Sequence, residues 1–204
     1  MKTLTLSFQK CLFIALMFGL SLTGCAQEIP NKENQIKMAE MAAPEEDRAA
    51  ATIMGYDAEG QLVMLRQGTN GQICLADDPS RKGFQTVCYH KDLAPFMDRG
   101  RALKAEGKGG TEIFKIREEE AKAGTLKMPS QPTTLHLLEG PDGFFDPETG
   151  MVKNADYRYV VYIPFATAAT TGLPTRPVVP GGPWIMDPGT HKAHIMISPP
   201  KAEQ

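Results

Sequence analysis

Two cysteines, Cys74 and Cys88, lie in short β-prone runs on either side of a turn-rich segment, and this arrangement constrains the fold more than any other part of the chain. The stretch reads QICLADDPSRKGFQTVCYH. The runs QICLA and FQTVCY favour strands, and the Asp, Pro, Ser and Gly residues between them favour a turn. The sequence therefore predicts an antiparallel hairpin. With the cysteines opposite each other, the facing pairs are Cys74 with Cys88, Leu75 with Val87 and Ile73 with Tyr89.

The first residues read MKTLTLSFQKCLFIALMFGLSLTGCAQ, in which Lys2 and Lys10 precede an apolar run over residues 11–22. A run this short with one basic flank predicts a secretory signal rather than a membrane-spanning helix. We therefore expect the protein to be exported.

The stretch LTGC, residues 22–25, resembles the lipobox of bacterial lipoproteins. The resemblance implies cleavage after residues 1–24, a diacylglyceryl group on the Cys25 thiol and a fatty acyl group such as palmitate on the new amino terminus. Several acyl chains hold a domain firmly at a membrane, because each buried methylene contributes about 0.8 kcal/mol. Ala26 follows, where an aspartate would imply the inner membrane, so the outer membrane facing the periplasm is expected. The alternative is an ordinary signal peptide that happens to carry a cysteine.

The charge balance of the mature chain argues against nucleic acid as a partner. Cleavage removes two of the 22 basic residues and none of the 24 acidic ones, which leaves 20 against 24 and a net charge of −4. No basic block could follow a phosphate backbone. The 19 glycines and 16 prolines indicate a loop-rich domain rather than a helical bundle. We expect a flexible tether over residues 25–37 and a single domain over residues 38–204.

Cys74 and Cys88 are the cysteines that remain once Cys11 is removed and Cys25 is acylated. An even pair in an oxidising compartment predicts a disulfide. Closing a loop of about 15 residues would contribute about 3 kcal/mol on the chain-entropy model. The alternative is a redox pair, which usually has CxxC spacing and a helix N-terminus that lowers the pKa of one thiol.

The remaining elements do not alternate regularly between strand and helix, which argues against βαβ units. We predict one α+β domain with a mainly antiparallel sheet and a few short helices. The predicted strands, besides the hairpin, cover residues 51–56, 61–66, 133–138 and 156–166 and the C-terminal runs WIM and AHIMIS. The predicted helices are a short one starting at Pro44, one from Pro95 to about Gly107, and one from its cap Thr111 to Gly124. The segment PDGFFDPETG, residues 141–150, is predicted to be a loop.

Several stretches together resemble a family of small exported bacterial proteins of unknown function. They are AAPEEDRAAATIM, LRQGTNGQICLADDP, the second cysteine in TVCYH, and PGGPWIMDPGTHKAHIMI. These stretches cover the N-terminal third and the C-terminal fifth of the mature chain. The resemblance implies an architecture but no catalytic mechanism, and we expect no cofactor.

The segment PGGPWIMDPGTHKAHIMI contains His191 and His194. Histidines three residues apart share a face on a helix but not on a strand, and the context here predicts a strand or turn. We therefore expect a packed hairpin in which His194 is hydrogen-bonded and partly buried and His191 is exposed at the turn. The alternative is a metal-binding protein or metal-dependent enzyme that uses His194 with His191, His90 or His136.

Trp184 is a further candidate for ligand binding, together with His194 and Arg66. A tryptophan next to GGP is predicted to fill the core, and the alternative is an aromatic ligand platform shared with Tyr157, Tyr159 and Tyr162.

Arg66 lies in LRQGTNG, where Asn70-Gly71 predicts a tight hairpin turn with positive φ at both residues. We predict an ion pair between Arg66 and Asp77 or Asp78, and the alternative is an anionic ligand.

The sequence offers no clear catalytic set. None of the three serines of the mature chain lies in a G-x-S-x-G or S-x-x-K motif, and the run REEEAK indicates a solvated helix face with a Glu118–Lys122 pair. We expect a lipid-anchored envelope protein that binds an envelope protein partner or has a structural role without catalysis.

Overall fold

The computed structural model describes residues 28–200, and a large twisted sheet carries most of this part of the chain. The strands are β1 (Thr52–Tyr56), β2 (Leu62–Arg66), β3 (Gln72–Leu75), β4 (Phe84–His90), β5 (Thr133–Gly140), β6 (Phe144–Asp146), β7 (Met151–Lys153), β8 (Asp156–Tyr162), β9 (Trp184–Met186) and β10 (His194–Ile197). β6 and β7 form a separate hairpin, and the other eight pair in the order β2-β1-β3-β4-β5-β8-β10-β9. All neighbours in the large sheet are antiparallel except β1 and β3. The predicted α+β fold with a mainly antiparallel sheet is confirmed.

The helices of the described residues are short. They are α1 (Lys32–Glu40), α2 (Glu45–Arg48), α3 (Ala94–Ala105), α4 (Gly110–Lys122) and α5 (Ala168–Thr171). α4 follows Gly109, so Thr111 lies inside its first turn and does not cap it as predicted. Gly124 adopts a φ of +74° just after α4 and ends it as predicted, because glycine accepts the left-handed region. Within residues 28–200, no helix combines the length and apolarity needed to cross a bilayer.

Helix α1 begins inside the range predicted to be a tether, residues 25–37. The side-chain oxygen of Asn31 accepts a hydrogen bond from the Asn34 backbone N–H at 2.9 Å and caps the helix. Gln35 is buried and bonds to Tyr56 through both ends of its amide: Nε2 donates to the backbone oxygen at 2.9 Å, and Oε1 accepts from the backbone N–H at 2.7 Å. The second half of the predicted tether is therefore helical and packed against β1. The side-chain amide of Gln35 offers one donor and one acceptor to the backbone of Tyr56, as a neighbouring strand would.

The large sheet separates two apolar cores. Cys74 and Leu75 are neighbours on β3 and point to opposite faces, because side chains alternate along a strand. The core on the Cys74 side lies beneath α1 and includes Met38, Ala39, Ile53, Phe84, Cys88 and Leu138. The core on the Leu75 side lies beneath α3 and includes Tyr89, Leu93, Phe96, Leu135, Val160 and Tyr162.

The predicted hairpin and its disulfide are confirmed. Cys74 and Cys88 face each other on β3 and β4 with their Cα atoms 4.0 Å apart, and their sulfur atoms are bonded. Both residues are fully buried, so the crosslink joins the two strands inside the core. The neighbouring pairs also match the predicted register: Leu75 with Val87 and Ile73 with Tyr89.

Two connections differ from the prediction. β6 and β7 form a hairpin around residues 141–150, which were predicted to be a loop, because strands of three residues are too short to produce a periodic pattern. Asn70-Gly71 does not form a hairpin turn, since β1 lies between β2 and β3 and pairs in parallel with β3. Neither residue has a positive φ. Asn70 instead attaches the segment to α2, where its Nδ2 donates to the Asp47 backbone oxygen at 2.9 Å.

Candidate functional site

The C-terminal hairpin of β9 and β10 brings His191, in the turn between its strands, next to helices α3 and α4. The two strands are antiparallel, with Ile195 opposite Ile185 and Met196 opposite Trp184. The predicted packed hairpin is therefore confirmed. The turn at residues 188–192 leads from β9 into β10 and positions His191 beneath α4.

His191 is buried, whereas the sequence predicted it to be exposed at the turn. Its side chain has 0% exposure and lies between Phe96 and Phe114, whose ring centroids are 5.7 and 4.9 Å from that of the imidazole. Its Nδ1 lies 2.5 Å from Glu118 Oε2, and its backbone N–H donates to the same oxygen at 2.8 Å. The prediction was wrong because the carboxylate on α4 satisfies the polar groups of His191 and allows the ring to enter the aromatic layer.

The pKa shifts of the two groups favour an ionised Glu118 and a neutral His191. Burial raises the pKa of the Glu118 carboxyl, but hydrogen bonds from Lys122 and His191 outweigh it and lower this pKa to about 2. Burial lowers the pKa of the His191 imidazole, and the bond to Glu118 offsets only part of that effect. An ionised carboxylate can only accept hydrogen bonds, so the imidazole proton lies on Nδ1. The Nε2 atom therefore carries the free lone pair.

The free Nε2 of His191 is sealed inside the protein. It is buried and has no hydrogen-bond partner among residues 28–200. A base that activates a serine, threonine or cysteine must lie within hydrogen-bond reach of that side chain, and none is bonded to this nitrogen. The two residues are bonded like a catalytic histidine and the carboxylate that orients it. Their role here is to connect α4 to the C-terminal turn. We call His191 and Glu118 the α4 clasp.

Arg117 lies beside the clasp and connects α4 to α3. Its guanidinium carbon is 4.0 Å from the centre of the Phe96 ring, and Nη1 donates to the Phe96 backbone oxygen at 3.2 Å. Burial lowers the pKa of Arg117. Its positive charge also disfavours a proton on His191. A guanidinium stacked on an aromatic face is a stabilising cation–π contact, so this cation has a structural role.

The structure does not bring the four histidines into one site. His194 is buried, and its Nδ1 lies 2.7 Å from the Lys192 backbone oxygen, which confirms the predicted hydrogen-bonded strand position. His136 packs edge-on against Tyr159 on the opposite face of the sheet, with ring centroids 5.6 Å apart, and His90 ends β4. In the described part of the chain, no three His, Cys, Asp or Glu side chains are grouped as metal ligands.

Trp184 is separated from Tyr157 and Tyr159, two of the three tyrosines that were candidates for a shared platform, and the third, Tyr162, is buried in the core beneath α3. It lies half-buried on the edge strand β9 opposite Met196, which pairs with Val160 on its other side. On β8, Tyr157 and Tyr159 point to the opposite face of the sheet from Val160, because side chains alternate along a strand. The centroids of their stacked rings are 6.3 Å apart. Trp184 also lies outside the two buried cores, which differs from the predicted core position.

Arg66 makes structural contacts at the junction of β2 with α1 and α2. Its Nη1 pairs with Glu40, which takes the place predicted for Asp77 or Asp78. Its Nη2 donates to the backbone oxygen of Arg48 at 2.6 Å. The partner differs because the parallel pairing of β1 with β3 places α1 beside β2, a contact that no local pattern indicates.

An apolar cavity of about 160 Å³ lies at the end of the domain where the described chain begins. Apolar residues form most of its wall, namely Pro30, Met38, Pro79, Phe84, Phe144, Phe145 and Pro147, and the polar residues Glu28, Asn34 and Asp77 complete it. The sequence did not predict this cavity, because its two adjacent phenylalanines lie in a segment that was predicted to be a loop. Glu118 was missed because its run was interpreted as solvated, although its i,i+4 relation to Phe114 placed it next to an apolar helix face.

Comparison with known proteins found no matching family model, no matching curated protein and no matching solved structure. The functional interpretation therefore depends on the residues and contacts of this chain.

Proposed function

We propose that this protein is a lipoprotein of the bacterial envelope, held by acyl groups on Cys25, and that its α+β domain is a non-catalytic binding or structural module acting with an envelope protein partner. The anchor is supported by the stretch LTGC at residues 22–25, which follows a basic and then an apolar segment. Ala26 favours the outer membrane, on the periplasmic side. These residues, like the whole of 1–27, lie outside the described part of the chain.

The sealed α4 clasp is the observation that carries the non-catalytic part of the proposal. A general base must come within hydrogen-bond reach of the proton that it removes. The Nε2 atom of His191 is enclosed by protein, so a substrate could reach it only if α4 moved away. Glu118 also bonds to Lys122 at 2.6 Å, which uses its second oxygen within the helix.

The anchor is tested by mass spectrometry of the N-terminal peptide of the full chain produced in a diderm bacterium. We expect the wild-type peptide to begin at Cys25 and to carry the mass of the acyl groups. Cys25→Ala should lose that mass. Cys11→Ala is the matched control, because it removes a cysteine from the segment that is cleaved off, and it should retain the acyl mass. An unmodified wild-type peptide would overturn the anchor.

The non-catalytic assignment is tested with the purified full chain on chromogenic esters, phosphate esters and glycosides. We expect no turnover by the wild type or by His191→Asn. Turnover by the wild type that disappears in His191→Asn would overturn the assignment. The same preparation is analysed for zinc, copper and iron. Stoichiometric metal that is lost in His194→Ala would favour the metal-binding alternative, in which His194 acts with His191, His90 or His136.

A further inference from the structure

The β6–β7 hairpin exposes two large apolar side chains beside the apolar cavity. Phe144 and Met151 are 47% and 51% exposed. Phe145 and Val152 are the next residues of the two strands, and they face each other across the hairpin and pack against the core beneath α1. Because side chains alternate along a strand, Phe144 and Met151 lie on the outer face of the hairpin. The inner face therefore fixes the hairpin to the domain, and the outer face presents Phe144 and Met151 together with the ion pair between Lys153 and Asp146.

A lysine accompanies the exposed aromatic ring. Lys153 is the cross-strand neighbour of Phe144, and its Nζ lies 2.6 Å from Asp146 Oδ2. Segments that lie in a membrane interface bury Trp, Phe and Leu at the boundary between headgroups and acyl chains, and lysine can lay its methylene stem along an apolar surface while its ammonium stays in water. The outer face of the hairpin thus has the chemistry of a membrane-interface contact.

The distance from Cys25 supplies an independent argument. Glu28 and Pro30 line the same cavity as Phe144. Cys25 is three residues before Glu28, a separation that an extended chain spans with at most about 11 Å. The headgroup layer on each side of a bilayer is about 5–8 Å thick. An acylated Cys25 would therefore hold Glu28, and the cavity beside it, at or just above the headgroups.

We propose that the β6–β7 hairpin is a second membrane contact, in which Phe144 and Met151 enter the headgroup region of a phospholipid bilayer beside the anchor. This inference rests on the proposed acylation of Cys25. The anchor makes the second contact intramolecular, so a small apolar surface is sufficient for it to form. The contact orients the domain with the cavity end towards the bilayer. β4 contributes Phe84 to the cavity, and β9 lies four strand spacings, or about 19 Å, from β4 across the sheet.

The test uses tryptophan quenching by lipids brominated on their acyl chains. The full acylated chain is reconstituted into vesicles of phosphatidylethanolamine and phosphatidylglycerol, with and without bromine. One probe is Phe144→Trp combined with Trp184→Phe, and a second is Met151→Trp in the same background. The wild-type chain, whose only tryptophan is Trp184 on β9, is the first control. Val178→Trp in the Trp184→Phe background is the second, because Val178 is 68% exposed.

We expect brominated lipid to lower the emission of the probes at 144 and 151, because the proposed contact places these rings at the boundary between headgroups and acyl chains. The two controls should change far less. Mass spectrometry and vesicle flotation of the wild type separate the two proposals. A chain without acyl groups that does not float overturns both the anchor and the hairpin contact. A chain that is acylated and floats, but whose probes at 144 and 151 are quenched no more than the controls, overturns the hairpin contact alone and leaves this face for a protein partner.

Discussion

Replacing Glu118 with alanine would open the α4 clasp and leave two buried donors of His191 without an acceptor. These are the backbone N–H and Nδ1–H, both of which donate to Glu118 Oε2. Each unsatisfied buried donor costs about 1–3 kcal/mol. The pKa of Glu118 falls from 4.5 to about 2, and the hydrogen bonds from Lys122 and from His191 both contribute to this fall. We therefore expect Glu118→Ala to lower the free energy of unfolding by about 3 kcal/mol.

The assay is urea denaturation of the purified chain, followed by far-UV circular dichroism with the disulfide intact. Glu119→Ala is the matched control, since Glu119 is the next residue of α4 and is exposed. It should change the free energy of unfolding by no more than about 0.5 kcal/mol. For a domain of this size, the loss in Glu118→Ala corresponds to a Tm lower by roughly 6–12 °C. Equal losses in the two variants would refute the reasoning, because the clasp would then contribute nothing beyond the helix.

The crosslink, the α1 cap and the acid response give three further predictions. Replacing Cys74 and Cys88 together by serine should lower the free energy of unfolding by about 3 kcal/mol, as should a reductant on the wild type, and unchanged urea midpoints would contradict this. Asn31→Ala should lower the free energy of unfolding by about 1 kcal/mol in thermal unfolding, because the helix loses its capping acceptor. Asn34→Ala keeps the backbone N–H that donates to the cap and should have little effect. A larger loss in Asn34→Ala than in Asn31→Ala would exclude the cap. The depressed pKa of Glu118 stabilises the fold above pH 4.5, and this stabilisation should disappear as the pH falls towards 2. Urea denaturation between pH 6 and 3 should show a larger loss in the wild type than in Glu118→Ala, because other carboxyls with a lowered pKa, such as Asp146, titrate in both proteins. Parallel curves would contradict the assignment.

The local elements could be predicted because their signals lie within a few residues of one another. The β3–β4 hairpin has the predicted register, since two β-prone runs and the turn between them leave few alternatives. Helices α3 and α4 have nearly the predicted extents because Pro95 and Gly124 mark a beginning and an end.

The contacts between distant segments could not be predicted in the same way. β1 pairs in parallel with β3, although β2 lies between them in the sequence. With this pairing, Arg66 contacts Glu40 instead of the predicted Asp77 or Asp78. His191 meets a carboxylate 73 residues earlier in the chain. The Glu118–Lys122 pair was predicted from its i,i+4 spacing and is present. The second contact of Glu118 depends on how α4 packs, which a local pattern does not contain.

Gln35 has a mechanical consequence. It bonds α1 to Tyr56, the last residue of β1, and β1 is hydrogen-bonded to β2 on one side and to β3 on the other. Tension applied through the chain before α1 would therefore be transmitted to a strand that is held on both sides. Because β1 is an interior strand, that load would be shared between β2 and β3. A domain tethered from that end is therefore held through the interior of its sheet and not through an edge strand.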